Sequence, residues 1–152
     1  MQTDAVKVIS LKALDLLARR EHTTQEMHTK LCLRGFEAEL VGVAIERLVH
    51  QGLLSNFRFV ECFVRSRMNR GFGPLRIQNE LRQRGIDDPL IRDSIDINAA
   101  QWLDNIRDVW HKRFDGRYPA DLKERARQAR FLRQRGFTGD QVKAVMNQDD
   151  QL

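Results

Sequence analysis

Three glycines 50 and 51 residues apart, each closing the same short phrase of apolar and arginine residues, constrain this chain more than any other feature. The phrases are Leu31-Cys32-Leu33-Arg34-Gly35-Phe36, Leu81-Arg82-Gln83-Arg84-Gly85-Ile86 and Leu132-Arg133-Gln134-Arg135-Gly136-Phe137. The middle one is the fullest. Gly73 stands as N-cap and Pro74 takes the first helical position, where its missing N–H has no helical partner. Ile77 and Leu81 then share a face, and Gly85 follows the last turn, where a left-handed residue is favoured. With Gly85 as C′, Leu81 is C3 and Ile86 is C″, the pair that touches in a Schellman stop. The apolar positions after each glycine repeat too: Leu40, Val41 and Ile45; Leu90, Ile91 and Ile95; Val142, Val145 and Met146. Agreement in register over so many positions predicts a tandem helical repeat.

Helical periodicity divides the 152 residues into three tri-helical repeats, 1–54, 55–97 and 98–152. The first helix is expected near residues 6–20 with Ile9, Ala13, Leu14, Leu17 and Ala18 inward. Thr23 and Glu26 have capping-box spacing for the second. The third is expected from Glu37 to Gln51, stopped by Gly52. In the middle repeat Ser55 or Asn56 caps a helix whose inward face is Phe57, Val60, Val64 and Met68. Gly71 breaks that helix, and Asp88-Pro89 supplies an N-cap and first position for the last one. The final repeat departs from the pattern. Its first helix carries Trp102, Ile106, Val109, Trp110 and Phe114, and the tryptophans read as core. Its middle helix, from about Ala120 to Arg135, is longer than its counterparts, with Leu122, Ala126, Ala129 and Leu132 inward. Thr138 and Gln141 repeat the capping-box spacing, the last helix ends near Asn147, and Asp149 to Leu152 are expected to fray. Sustained strand alternation is absent, so the fold class is all-α, with the repeats packed end to end.

Charge narrows the function. The net charge is +5 and 20 of the 26 basic residues are arginine. The excess over acidic residues is 0, +2 and +3 in the three repeats. Arginine forks pair in a bidentate way with phosphate and carboxylate. The candidate surface is Arg65, Arg67, Arg70, Arg76, Arg82 and Arg84, then Arg117, Lys123, Arg125, Arg127, Arg130 and Arg133. Lys123, Arg127 and Arg130 form one basic stripe at helical spacing, and the whole set is expected to make one continuous surface.

Catalytic patterns are missing. Gly71-Phe72-Gly73 lacks the strand, third glycine and lysine of a phosphate loop. Each serine lies outside a nucleophile-elbow context. His28 and Cys32 stand four apart, but no second pair completes a metal site. The expectation is therefore no catalytic residue, no metal and no cofactor. Cys32 and Cys62 read as reduced thiols of a cytoplasmic protein, and no stretch approaches the length of a membrane span.

The motifs together resemble the RecX family, bacterial regulators of the RecA recombinase. The resemblance rests on Gly73 to Ile86, on Ala13-Leu14-Asp15-Leu16-Leu17-Ala18-Arg19-Arg20-Glu21-His22, on Lys30 to Phe36, on Phe63-Val64-Arg65-Ser66-Arg67 and on Arg135-Gly136-Phe137. It runs from about residue 8 to 147. Two positions depart from the family pattern: Thr23-Thr24-Gln25-Glu26-Met27 replaces Ser-x-x-Glu-Leu, and Asn56 stands where aspartate is common. The resemblance implies three tandem helix-turn-helix-like repeats in an elongated crescent. It implies binding to RecA and RecA–single-stranded DNA filaments; the chain itself is expected to be a monomer with at most weak direct binding to single- or double-stranded DNA. It implies inhibition of RecA ATPase, strand exchange and co-protease activity, moderating recombination and the SOS response. The alternative is a stand-alone helix-turn-helix-type DNA-binding protein, in which one recognition helix reads bases.

Overall fold

The computed structural model describes residues 2–147. The described residues form nine helices and no strand: α1 (Gln2–Leu17), α2 (Thr24–Leu33), α3 (Ala38–His50), α4 (Asn56–Asn69), α5 (Pro74–Gln83), α6 (Asp88–Ser94), α7 (Gln101–Phe114), α8 (Leu122–Gln134) and α9 (Gly139–Met146). The expectation for Asp149 to Leu152 lies outside the described residues. The helices gather into two compact units. The N-terminal unit is built on the first 62 residues together with Leu81–Leu90, and the C-terminal unit on Phe63–Glu80 together with the chain from Ile91 onward.

The glycine punctuation is as the sequence indicates, and more frequent. Gly35, Gly52, Gly71, Gly85 and Gly136 all have positive φ, between 75° and 103°. At Gly85 the glycine N–H donates to the Arg82 carbonyl at 3.0 Å and the Ile86 N–H to the Leu81 carbonyl at 3.1 Å. That is the paired hydrogen bonding of a Schellman stop. Leu81 and Ile86 are both buried, the apolar contact that accompanies it. The same two bonds recur at the other four positions.

In the N-terminal unit, Val6, Ile9, Ala13 and Leu16 of α1 pack with Met27 and Leu31 of α2 and with Val41, Ala44, Ile45 and Leu48 of α3. Here α1 corrects the sequence reading. It starts and ends earlier than expected, and its buried row is 6, 9, 13 and 16, which leaves Leu14 and Ala18 outward. The several apolar residues of α1 allow two overlapping faces, and Val6 and Leu16 complete the one that is buried. Thr23 caps α2 through the Glu26 N–H at 3.0 Å, but the box is open. The Glu26 carboxylate turns instead to Arg20, whose Nη1 donates to it at 3.0 Å. Ser55 caps α4 by accepting from the Arg58 N–H, while the Asn56 Oδ1 accepts from the Thr24 N–H at 2.9 Å. Arg58 clamps the end of α3, donating to the carbonyls of Gly52 and Leu53 and to Glu21. Val60 of α4 is buried as expected, but Phe57 is 58% exposed and Phe59 is buried instead. Asp87, one residue earlier than expected, caps α6 through the Leu90 N–H. Asp88 is drawn off to Arg82 at 2.9 Å.

His22 lies buried beneath this unit at 1% exposure. Its Nδ1 lies 3.0 Å from the Arg20 carbonyl and its Nε2 lies 3.0 Å from the Lys30 ammonium. The neutral tautomer with Nδ1–H satisfies both, donating to the first and accepting from the second. Burial pushes the His22 pKa below its ordinary value, and the positive charges of Arg20 and Lys30 act the same way, against the Arg20 carbonyl and Glu26. The unfolded chain therefore binds the proton more readily than the folded one. Stability should be complete above pH ~6.5 and fall as the pH drops below it. Thermal melts of the parent and of His22→Gln across pH 7.5 to 5 check this. The parent should lose stability in that window, whereas the variant should show a flatter profile there.

In the C-terminal unit, α7 buries Trp102, Ile106, Trp110 and Phe114. Both tryptophans are core, and each indole N–H finds an acceptor: the Asp96 carbonyl for Trp102 at 2.9 Å and the Gln128 Oε1 for Trp110 at 3.0 Å. The α8 face is corrected. Leu122 is 84% exposed and Ala126 is exposed, whereas Gln128 and Leu132 are buried. Asp121 caps α8 at Leu122, which places that leucine on the exposed first turn. α8 is nonetheless longer than α2 and α5, as its sequence indicates. Thr138 and Gln141 form a complete capping box on α9, and the Gln141 Nε2 also donates to the Ile97 carbonyl.

Gly73 and Gly136 bring two backbones against each other in this unit. The Gly73 N–H donates to the Arg135 carbonyl at 2.7 Å and the Leu75 N–H to the Gly136 carbonyl at 2.9 Å. A Cβ added at Gly73 would stand 2.5 Å from Gly136 C and Phe137 N. Gly73 is thus needed for close approach, a role beyond the capping one the sequence suggests.

Candidate functional site

The C-terminal unit holds an alternating run of phenylalanine rings and guanidinium groups. Arg67 lies over Phe63 at 4.5 Å and near Phe72 at 6.0 Å. Arg76 and Arg135 also lie over Phe72, at 4.1 and 5.2 Å. Arg135 reaches Phe131 at 5.2 Å, and Arg113 reaches Phe131 at 5.3 Å and Phe114 at 5.5 Å. Arg127 ends the run over Phe114 at 5.1 Å. The ring face carries negative potential, so each cation is attracted to it, by about 0.5–1 kcal/mol where exposed. Stacking occupies a face of the guanidinium and leaves its in-plane N–H groups available to an anion.

Glu80 holds two of these arginines together. Its Oε2 accepts from the Arg67 Nε at 2.6 Å and its Oε1 from the Arg76 Nε at 3.1 Å. Burial pushes its pKa up, but the two arginine hydrogen bonds and charges outweigh that and leave it below the ordinary glutamate value. Arg67 is accordingly half-buried and engaged, while Arg76 is exposed and also donates to the Gln134 carbonyl.

The other expected residues divide by environment. In the C-terminal unit, Arg65, Arg70, Arg117, Lys123, Arg130 and Arg133 are exposed. Arg127 is exposed and bidentate to Glu124, and Arg125 is half-buried with its Nη2 on the Asn147 Oδ1. Arg82 and Arg84 belong to the N-terminal unit, with Arg82 exposed on Asp88 and Arg84 half-buried. Lys112, Arg113 and Arg135 were not among the sequence candidates. Arg113 and Arg135 nevertheless share the Phe131 ring, and a count of cations near aromatic residues on α7 could have raised the first. His28 and Cys32 lie 3.7 Å apart as an isolated pair. Among the described residues no group of three or more His, Cys, Asp or Glu could hold a metal ion, and no helix is long and apolar enough to cross a membrane.

Models of the RecX first, second and third three-helix domains match residues 11–48, 57–95 and 99–146. The regulatory protein RecX of Halorhodospira halophila is 50% identical over 133 residues, covering 88% of this chain and 83% of that protein. The chain belongs to the RecX family. The regulatory protein RecX of Pseudomonas fluorescens is 42% identical over 148 residues, covering 95% of this chain and 93% of its own. A crystal structure of RecX from Lactobacillus salivarius shares the fold with a TM-score of 0.82 at 20% identity, over 99% of both chains. In this RecX-family chain, then, the three-helix domains succeed one another in family order, and its relatives are named regulatory proteins.

Proposed function

We propose that this protein is a non-enzymatic regulator that binds RecA and RecA–single-stranded DNA filaments in the cytoplasm. Binding inhibits RecA ATPase, strand exchange and co-protease activity, and so moderates recombination and the SOS response. Membership of the RecX family carries the reading. The exposed cations of the C-terminal unit support it, because a nucleoprotein filament offers phosphates and carboxylates, and arginine pairs with either. Arg65, Arg70, Arg76, Arg117, Arg127 and Arg133 accompany Lys123 and Arg130 in that role, with Arg67 and Arg125 as partly buried members and Arg82 and Arg84 contributed by the N-terminal unit.

The test is RecA ATPase on single-stranded DNA with this protein titrated in. The parent should inhibit at concentrations too low to coat bare DNA. Lys123→Ala/Arg130→Ala should melt within about 1 kcal/mol of the parent, because exposed charges contribute little to folding. Its half-inhibitory concentration should rise about tenfold, equivalent to ~1.4 kcal/mol of binding. A parent that leaves RecA untouched yet selects one duplex sequence would instead support the stand-alone DNA-binding reading.

A further inference from the structure

A cavity of about 460 Å³ opens within the C-terminal unit, between the end of α4, one face of α7 and the end of α8. Arg70, Lys112, Arg113 and Arg135 line it, against one carboxylate, Asp108. Among the described residues none of these four cations makes an ion pair. Arg113 and Arg135 are held in place by Phe131, which also lines the cavity. Arg135 is further fixed by the bond from its Nη1 to the Arg70 carbonyl at 3.2 Å. Asn105 completes one wall, and its buried Nδ2 has no hydrogen-bond partner in the protein.

We propose that this cavity seats a phosphoryl group, carried by a nucleic-acid strand or by a free nucleotide. Four cations against one acid exceed what a single carboxylate would neutralise. A phosphoryl group presents several acceptor oxygens, which suits converging guanidinium forks and an ammonium. Phe131 is already covered by two guanidinium groups and meets Phe114 edge-on, so it offers no platform to a base. Recognition is therefore of the phosphate and indifferent to sequence. The proposal goes beyond regulation of RecA, and its test contains no RecA, so either can fail without the other.

The experiment uses the full chain and a fluorescein-labelled oligothymidylate of roughly 16 nucleotides, a length ample for one single-strand site. Anisotropy gives Kd at several salt concentrations. Lys112→Glu should weaken binding about tenfold and lower the salt slope by about 0.7, the value of one single-strand phosphate contact. Asn105→Asp, nearly isosteric and still able to accept from the Gln101 amide, should also weaken it. Lys143→Glu makes the same charge change at an exposed site outside the cavity, and should cost no more than about twofold. Competition assigns the source. ATP displacing the strand at concentrations near its own Kd supports a nucleotide seat, and a strand that resists ATP supports a backbone seat. If Lys143→Glu costs as much as Lys112→Glu, or if oligoglutamate displaces the strand more readily than ATP, the proposal is overturned.

Discussion

Gly73→Ala is expected to lower the unfolding free energy by about 3 kcal/mol, the upper range for inserting a methyl group into a filled space. The new Cβ would meet backbone atoms of Gly136 and Phe137 at 2.5 Å, and neither can turn aside as a side chain can. Relief requires the two segments to separate. That in turn strains the Gly73–Arg135 and Leu75–Gly136 hydrogen bonds. Arg76 and Arg135 flank this crossing, so their contacts with Phe72 should loosen as well. Urea unfolding measures the loss. An unchanged midpoint with an unchanged slope would show that the two backbones do not meet.

Trp110→Ala is expected to cost about 4 kcal/mol, in the range for deleting a buried aromatic side chain. Trp110 is 1% exposed and packs against Tyr118, with ring centroids 5.0 Å apart. Its removal also orphans the Gln128 Oε1, an acceptor at a position that is itself 1% exposed. Gln128→Leu separates the two contributions. It keeps the indole in place but deprives its N–H of an acceptor, and the Arg117 carbonyl and the Glu124 carboxylate of the donor they take from the Gln128 amide, and should cost about 2 kcal/mol. A leucine variant as damaging as the alanine one would mean that the polar contact, rather than the volume, dominates the site.

Local features were legible in the sequence, and long-range ones were not. The helices, the glycine stops and the Thr138–Gln141 box depend on residues a few positions apart, and periodicity and capping rules read those directly. Inward faces were harder. α1 carries enough apolar residues to support two faces, and α8 buries a glutamine that no apolar count would choose. The open box at Thr23 failed because Arg20 competes for the Glu26 carboxylate. The basic character of the candidate surface follows from composition, but its arrangement does not. Arg113 and Arg135 converge on Phe131 from different helix ends, and the meeting of Gly73 with Gly136 joins segments far apart in the chain.

The glycine stops also bear on the order of events in folding. Each closes on hydrogen bonds that reach back no more than five residues. Such ends can therefore form as soon as their own helix does, on the sub-microsecond to microsecond scale of local helix formation. The crossing of Gly73 and Gly136 is different, since its hydrogen bonds join Gly73 to Arg135 and Leu75 to Gly136, residues 62 and 61 positions apart, and that loop must close before either forms. The entropy of that closure is lost before the contact returns anything. Helix punctuation should then be an early event, and the backbone crossing beneath the arginine–phenylalanine run a late one.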